Sequence, residues 1–479
     1  MTIPTRTRES PLPDGEGPGA RSPAGLRPAA RPPAAPRLLL GVLFLGTLLA
    51  ALDIALVAPA LPALRAAWGV DERTASWVFT AFVLANLGGL PLMAALADRL
   101  GRRTVYLADV ALFAAGTVVV ATSPSWGVLL AGRVVQGLGA SGIFPVAAAV
   151  VGDTYPPETR GRALGLLGAV FGVAFLIGPA AGGILLGLAS WRWLFAATLP
   201  LAAVVFALGA RAVPNSRAAA PPPLDAAGLA LLTAALGALV AGLSGLDAGA
   251  PLLGAGRASV WVPLAVVAAL LPALVWVERR AAAPIVRPAL VARRAVRVAC
   301  ALAVGAGLAE ATFVFLSGYG VAAFGLTPSE ASYALLPLVA GVAVGAPVAG
   351  RLLDRVGVRA VVTGGAATLA AGMGGVAAGP AFGWHVVATV VVGVGLSGIL
   401  GASLSYILLA EAAPGERTVA QGIGTLFTSV GQLAGGAALG AAAASAATPV
   451  AGYRLGFAGV AAVALALVGV ARMLPARQL

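Results

Sequence analysis

Fourteen continuous apolar stretches divide this chain between Leu38 and Leu474. They fall at roughly 38–61, 74–97, 104–122, 126–151, 162–188, 192–211, 226–246, 259–277, 297–323, 330–353, 360–379, 384–410, 419–445 and 452–474. A helix of about 20 apolar residues crosses a bilayer, so each stretch is long enough to span. Membrane barrels alternate apolar and polar residues instead, so the pattern predicts helices. Only 10% of the 479 residues are charged and 59% are hydrophobic. A soluble chain of this size carries about 25% charged residues. One aqueous core cannot hide so much apolar surface, and the bilayer must act as solvent.

The charges that remain are sorted by side. All 31 basic residues are arginine. Residues 1–37, rich in Pro, Arg, Gly and Ala, contain no apolar run and so lack the core of a signal peptide. They read as a disordered cytoplasmic tail. With that tail inside, 25 arginines fall in the tail, the inner turns and the C-terminal end, five fall in outer turns, and Arg133 lies within a span. This positive-inside bias predicts a multi-pass cell-membrane protein with both termini cytoplasmic. It accounts for the net charge of +13 without nucleic acid. Cys300, the single cysteine, lies in an apolar segment, which excludes a disulfide framework and a cysteine metal site. His385, the single histidine, starts a span on the outer side and reads as a wetted interfacial residue. Neither a cofactor nor a metal site is indicated. No nucleophile–base set, phosphate loop or Walker motif appears, so the chain does not read as an enzyme or an ATP-driven pump.

The chain repeats itself. Asp98, Arg99, Gly101 and Arg103 recur 256 residues later as Asp354, Arg355, Gly357 and Arg359, in a charged turn between two spans. Pro157, Arg160, Gly165, Gly178 and Gly183 recur at an offset of 257 as Pro414, Arg417, Gly422, Gly435 and Gly440. Spans 1–6 therefore correspond to spans 9–14, and spans 7 and 8 are an insertion. The domain division is a tail (1–37), an N-terminal six-helix half (38–211), an inserted pair with its loop (212–296) and a C-terminal six-helix half (297–479). The basic loop from Glu278 to Arg297 is expected on the inner membrane surface, where anionic lipid attracts Arg.

Five segments carry a resemblance: LDIALVAPALP (Leu52 to Pro62), AALADRLGRR (Ala94 to Arg103) with Ala94 where glycine is usual, RVVQGLGA (Arg133 to Ala140), GVAFLIGPAAGG (Gly172 to Gly183) and WRWLF (Trp191 to Phe195). With fourteen spans, the chain resembles the major facilitator superfamily, and within it the fourteen-span drug:proton antiporters. The resemblance implies an all-α polytopic fold of two parallel six-helix halves, with spans 1, 4, 9 and 12 lining a central cavity. The fifth-span motif GPAAGG is more specific to exporters than the loop motif.

Three ionisable residues sit deep in spans: Asp53, Arg133 and Glu310. Each costs at least about 2.5 kcal/mol on insertion scales, so retention favours a function. Asp53 lies eight residues before Leu61 and Arg133 seven after Trp126. At 1.5 Å per residue both sit roughly 10–12 Å below the outer edge, level enough for a salt bridge. The pair reads either as structural or as a proton-coupling site, with Asp53 titrating and Arg133 tuning it. Glu310 has no Arg at its depth and is placed to carry a proton or to attract a cationic substrate. A neutral Glu310 bonded to a backbone carbonyl is the plainer reading. Phe144, Phe313, Phe315 and Tyr406, on cavity-prone spans, offer stacking and cation–π contacts. Asp109 is expected to reach the inner interface or pair with Arg102. Asp225, Asp247 and Glu411 lie at span ends.

Two gating elements follow. Pro179 favours a kink, and Gly178, Gly182 and Gly183 allow close approach of another helix. At the inner turns, Asp98 with Arg99, Gly101, Arg102, Asp354 and Arg355 is expected to form a latch. In it Asp98 would sit against a helix N-terminus of the other half. The function implied is proton-coupled export of small lipophilic, neutral or cationic compounds by alternating access, by a monomer with protons, small molecules and membrane lipids as its partners. A dedicated exporter of one metabolite or self-made antibiotic, an importer, and a non-transporting receptor are the other readings.

Overall fold

The structure, a computed structural model, describes residues 36–217, 223, 225–282, 284–286, 288–379, 381–411 and 417–474. The expected tail lies almost wholly outside the described residues. Among the described residues there are helices and no strands. The chain runs through α1 (Pro36–Trp68), α2 (Glu72–Leu100), α3 (Arg102–Ala121), α4 (Trp126–Thr154) and α5 (Pro157–Leu188). A broken crossing follows, α6 (Arg192–Ala196) and α7 (Leu199–Ala212), then α8 (Ala226–Ser244), α9 (Ala258–Glu278) and the short α10 (Pro288–Val291). Next come α11 (Arg294–Phe324), a broken crossing α12 (Pro328–Tyr333) and α13 (Leu336–Val356), and α14 (Val358–Ala378). The chain ends with α15 (Phe382–Ile399) and α16 (Ala402–Glu411), α17 (Arg417–Ser445) and α18 (Pro449–Ala471). Thirteen segments among the described residues are long and apolar enough to cross a membrane, and the described apolar part of α5 is the shorter Gly172–Leu188. We call the face where α1 begins the tail face, and the opposite one the far face.

Three expected continuous spans are interrupted. The sixth breaks at Ala197–Thr198, the tenth at Ala334–Leu335 and the twelfth at Leu400–Gly401. Pro200 and Pro337 open the helices that follow the first two breaks, where proline's missing N–H is harmless. Gly401 has φ 63, a left-handed conformation.

The helices form two groups with the same internal contacts. Helix α4 packs on α2 and α3, and α1 on α5; α15 packs on α13 and α14, and α11 on α17. The match extends to single residues. Gly139 of α4 lies against the backbone of Phe113, and Gly395 of α15 against that of Leu369; both members are 256 residues apart. Gly116 meets Gln136 as Gly372 meets Val392, and Gly178 meets Ala55 as Gly435 meets Ala311. The turns repeat too. Gly101 (φ 108) and Gly357 (φ 83) join the helices on either side of the charged turns. Asp71 and Thr327 each cap a helix, accepting from Thr74 N at 2.8 Å and Glu330 N at 3.3 Å.

Between the groups, α1 touches α11 and α12, α2 touches α17, and α5 touches α12 and α13. Ser76 packs on Gly440, and Ser332 beside Gly182, donating to Pro179 O at 2.7 Å. The inserted α8 packs on α9 and reaches α2 and α17. Helix α9 is peripheral; Val260, Leu274 and Glu278 are its buried residues.

Close helix contact through glycine makes a direct test. A Cβ on Gly139 would come within 2.7 Å of Asp109 O and 2.8 Å of the Phe113 Cα, whereas Gly127 has open space around it. Gly139→Val is expected to destabilise the bundle by about 1–3 kcal/mol, read as a lower melting temperature in detergent. Gly127→Ala should melt like the wild type.

A buried ion pair and a cavity between the helix groups

Arg133 of α4 meets Asp53 of α1 at 2.6 Å, Nη1 to Oδ2, and both side chains are 0% exposed. Burying a charge in a lipid-solvated bundle demands a complete set of partners, and the neighbours supply most of one. Arg133 Nε donates to Val78 O at 2.9 Å, and its Nη1 also to Gln136 Oε1 at 2.9 Å. Gln136 Nε2 donates to Asp53 Oδ1 at 3.1 Å and to Thr117 Oγ1 at 2.9 Å. Arg133 Nη2 finds no hydrogen-bond acceptor among the described residues. The guanidinium carbon instead lies 4.4 Å from the Phe82 ring centroid and 5.5 Å from that of Phe195, so aromatic faces screen the unpaired edge. The depth count from the sequence located the pair. It did not find Gln136, three residues after Arg133, or Thr117, because neutral polar side chains leave no charge signature.

A separate, narrow cavity of about 40 Å³ lies where the groups meet. Its two polar side chains are Glu310 of α11 and Gln432 of α17. Gln432 Nε2 donates to Glu310 Oε2 at 2.9 Å. Phe175 and Phe313 stand edge to face at 6.3 Å across it. The repeat explains its polarity. Ile54, Phe79 and Phe175 line it from the first group. The residues at their repeat positions, Glu310, Leu335 and Gln432, line it from the second. One wall is therefore wholly apolar and the other carries a carboxyl–amide corner. Gln432 was not singled out in the sequence, since its partner lies 122 residues away.

The remaining expected site residues are placed as follows. Phe313 lines the cavity, but Phe144 and Tyr406 do not border it. They sit nearer the tail face, Phe144 in the second half of α4 and Tyr406 in α16, and both are exposed. Phe315 is buried against Tyr453 instead, its ring centroid 6.5 Å from the tyrosine's. Gly178, Pro179, Gly182 and Gly183 form the contact of α5 with α1 and α12, as Gly178 meets Ala55 and Gly183 meets Tyr333. Ser329 Oγ reinforces it by donating to Gly183 O at 2.6 Å.

The charged turn corrects an expectation. Asp98 pairs with Arg102 at 2.6 Å, and Arg102 also reaches Asp153 of α4 at 3.3 Å. Ser216 Oγ donates to the same Asp153 at 3.1 Å, and Thr104 Oγ1 to Asn215 at 3.4 Å. All these partners lie in the first group or in the segment that directly follows it, so Asp98 is not seated on a helix of the other. Gly101 supplies the turn; Arg99 and Arg355 are exposed. The side chain of Asp354 lies outside the described residues.

Two further expectations are corrected. His385 is not wetted: it is 2% exposed, because the start of α15 packs into an aromatic cluster with Tyr319 at 5.5 Å and Phe324 at 5.4 Å. Asp109 does not reach Arg102, which Asp98 and Asp153 already occupy. It faces α4 beside Gly142, and neither carboxyl oxygen has a hydrogen-bond partner among the described residues. Asp225 caps α8 through Gly228 N at 2.7 Å, and Asp247 pairs with Arg257 at 2.6 Å in the far-face loop. The Gly249 amide and then the Arg257 guanidinium hold the Asp247 carboxyl below the usual carboxylate range.

A twice-repeated bundle of membrane-length helices, with a narrow cavity at the seam, defines a membrane transporter rather than an enzyme. A family model for the Major Facilitator Superfamily matches residues 43–323, and the chain belongs to that family. It is 32% identical over 397 residues to the uncharacterized MFS-type transporter YfiU of Bacillus subtilis, covering 81% of this chain and 76% of that one. It is 32% identical over 337 residues to the puromycin resistance protein pur8 of Streptomyces alboniger, covering 69% of this chain and 66% of that one. The fold resembles a bacterial homolog of the human lysosomal transporter Spinster, solved in an inward-facing, occupied conformation, with TM-score 0.66 at 16% identity over 90% of this chain and 95% of that one.

The ion pair generates a stability test independent of transport. Arg133→Leu leaves a buried Asp53 carboxylate without its cation and is expected to cost about 3–5 kcal/mol. Adding Asp53→Leu removes the stranded charge and should recover most of the loss, as read by thermal unfolding in detergent.

Proposed function

We propose that the protein is a proton-coupled antiporter that exports small lipophilic, neutral or cationic compounds by alternating access of its central cavity. The observation that carries this reading is the cavity itself, apolar on the first group's side and closed by the Glu310–Gln432 corner on the other. A ligand with an aromatic or aliphatic body would lie against Ile54, Phe79 and Phe175. Its cationic or hydrogen-bond-donating end would face Glu310 and Gln432. The puromycin resistance relative supports export as the direction.

In this reading the tail face is cytoplasmic, the membrane is the plasma membrane, fourteen helices cross it, and the monomer is the working unit. The four-part division at residues 37, 211 and 296 assigns the tail, the two rocking halves and a peripheral pair to separate tasks. Arg280, stacked over Trp276 at 4.0 Å, would meet lipid headgroups at the end of α9.

Asp53, Arg133 and Glu310 are the coupling residues. Desolvation disfavours an ionised carboxyl and a guanidinium favours it, so a change in packing or water access changes proton binding. The Asp53–Arg133 pair is sealed in this conformation, so proton exchange there requires α1 to shift against α4. Phe313 serves as a substrate contact, while Phe144 and Tyr406 serve on the tail-face approach. The Gly178–Gly183 segment and the turns at Asp98–Arg102 and Asp354–Arg355 act as gating elements.

Efflux of a lipophilic cationic dye from pump-deficient cells, with and without a protonophore, tests the reading. Dye efflux should require the proton gradient; efflux that ignores the protonophore refutes coupling. Asp53→Asn should abolish gradient-driven efflux when compared at equal amounts of folded protein in the membrane, since the substitution also strands the buried Arg133 charge. Glu310→Gln should change substrate range or coupling: efflux of the cation should weaken by roughly tenfold, as expected for loss of one charge-assisted contact, and neutral compounds should lose only gradient dependence. Equal loss for both would remove Glu310 from cation recognition.

A further inference from the structure

At the far face a second buried carboxyl bridges the two helix groups. Glu72, the first residue of α2, is 1% exposed. Its Oε1 forms an ion pair with Arg65 of α1 and accepts a hydrogen bond from the hydroxyl of Tyr453 in α18. Arg65 belongs to the same group as Glu72; Tyr453 belongs to the other, 381 residues away. Behind Tyr453 the aromatic rings of Phe315, Tyr319 and Phe457 pack at centroid distances of 6.5, 6.0 and 6.3 Å. Gly318 of α11 allows the approach, lying beside the Tyr453 ring with no room for a Cβ. Ser317 Oγ adds a second bond across the seam to Ala58 O.

We infer that Arg65, Glu72 and Tyr453 form a far-face latch that sets how readily the cavity opens to that side. Three observations carry it. A carboxylate this buried needs both partners, and one of them rides on the opposite group. Any parting of the groups at the far face separates Tyr453 from Glu72, leaving a buried acceptor unfilled or exposed. The tail face holds nothing comparable among the described contacts: its ion network of Asp98, Arg102 and Asp153 stays within one group.

The latch is not a by-product of the repeat. Asp71 and Thr327 match as helix caps, but the positions matching Glu72 and Arg65 are Pro328 and Val321. The position matching Tyr453 is Ala196. The scaffold is duplicated and the latch is single.

The inference rests on alternating access, and its test reads conformation alone. With Cys300→Ser as background, spin labels at Ala67→Cys and Ala447→Cys report the far-face separation in detergent, without substrate or proton gradient. Wild type should give a short, narrow distance. Tyr453→Phe removes one oxygen and keeps the ring in its cluster; Glu72→Gln removes the charge. Each should lower the ratio of closed to open molecules by roughly tenfold, since a hydrogen bond to a charged group is lost, with the melting profile showing a folded protein. Unchanged distances in both variants overturn the latch. A change in Glu72→Gln without one in Tyr453→Phe also overturns it, because the contact across the seam would then carry no weight. Loss of dye efflux coupling with the distance shift intact refutes the antiport reading and leaves the latch standing.

Discussion

In hydrocarbon, a leucine gains nothing by leaving lipid for protein, so the driving force that builds soluble cores is absent between these helices. What remains is close backbone approach and polar bonding. Both are visible at the same positions. Gly116, Gly132 and Gly139 bring α4 onto α3 so tightly that backbone meets backbone. That approach also places Gln136 within 2.9 Å of Thr117 and so completes the shell around Asp53 and Arg133. Wider helix spacing would leave the ion pair without its amide. The glycines and the charges therefore depend on each other.

Much of the fold could be read from the chain. Span length, the arginine census and the repeated turn each follow from a strong rule about the bilayer. They led to the all-helical repeat and to the level placement of Asp53 and Arg133. What could not be read has a common cause. Leu400–Gly401 and the other breaks lie inside uniformly apolar runs, where hydropathy is blind to backbone conformation. Gln432 and Gln136 are neutral, and the carboxyl that each amide meets is distant in sequence. Glu72 sits at a span edge and looks like a surface residue until α18 folds over it. The same holds for His385: a helix start is wet only if nothing covers it, and Phe324 and Phe382 pack against this one.

The internal repeat sharpens which features belong to architecture and which to chemistry. Contacts that recur at the fixed offset, such as Gly139 on Phe113 and Gly395 on Leu369, are what any bundle of this plan needs. The ion pair and its polar shell do not recur. Asp53, Thr117, Arg133 and Gln136 have Ala309, Met373, Thr389 and Val392 at their matching positions. A scaffold with near two-fold likeness thus holds its buried ion pair in one half only.

That asymmetry bears on which charges can sense a change of state. A proton or ligand shifts a conformational equilibrium only by binding its two states differently. Both bonded partners of Asp53, Arg133 and Gln136, lie on α4 of its own group, so a rigid rotation of the groups alters neither. Asp53 can report on such a motion only if α1 also moves against α4. Glu310 is differently placed. Its amide partner moves with it on α17, but the apolar wall of Ile54 and Phe175 belongs to the other group. Parting of the groups exchanges that wall for water. Glu72 goes further and loses a bonded partner outright. The seam carboxyls are therefore coupled to rocking directly, and the sealed ion pair only through a distortion of its own half.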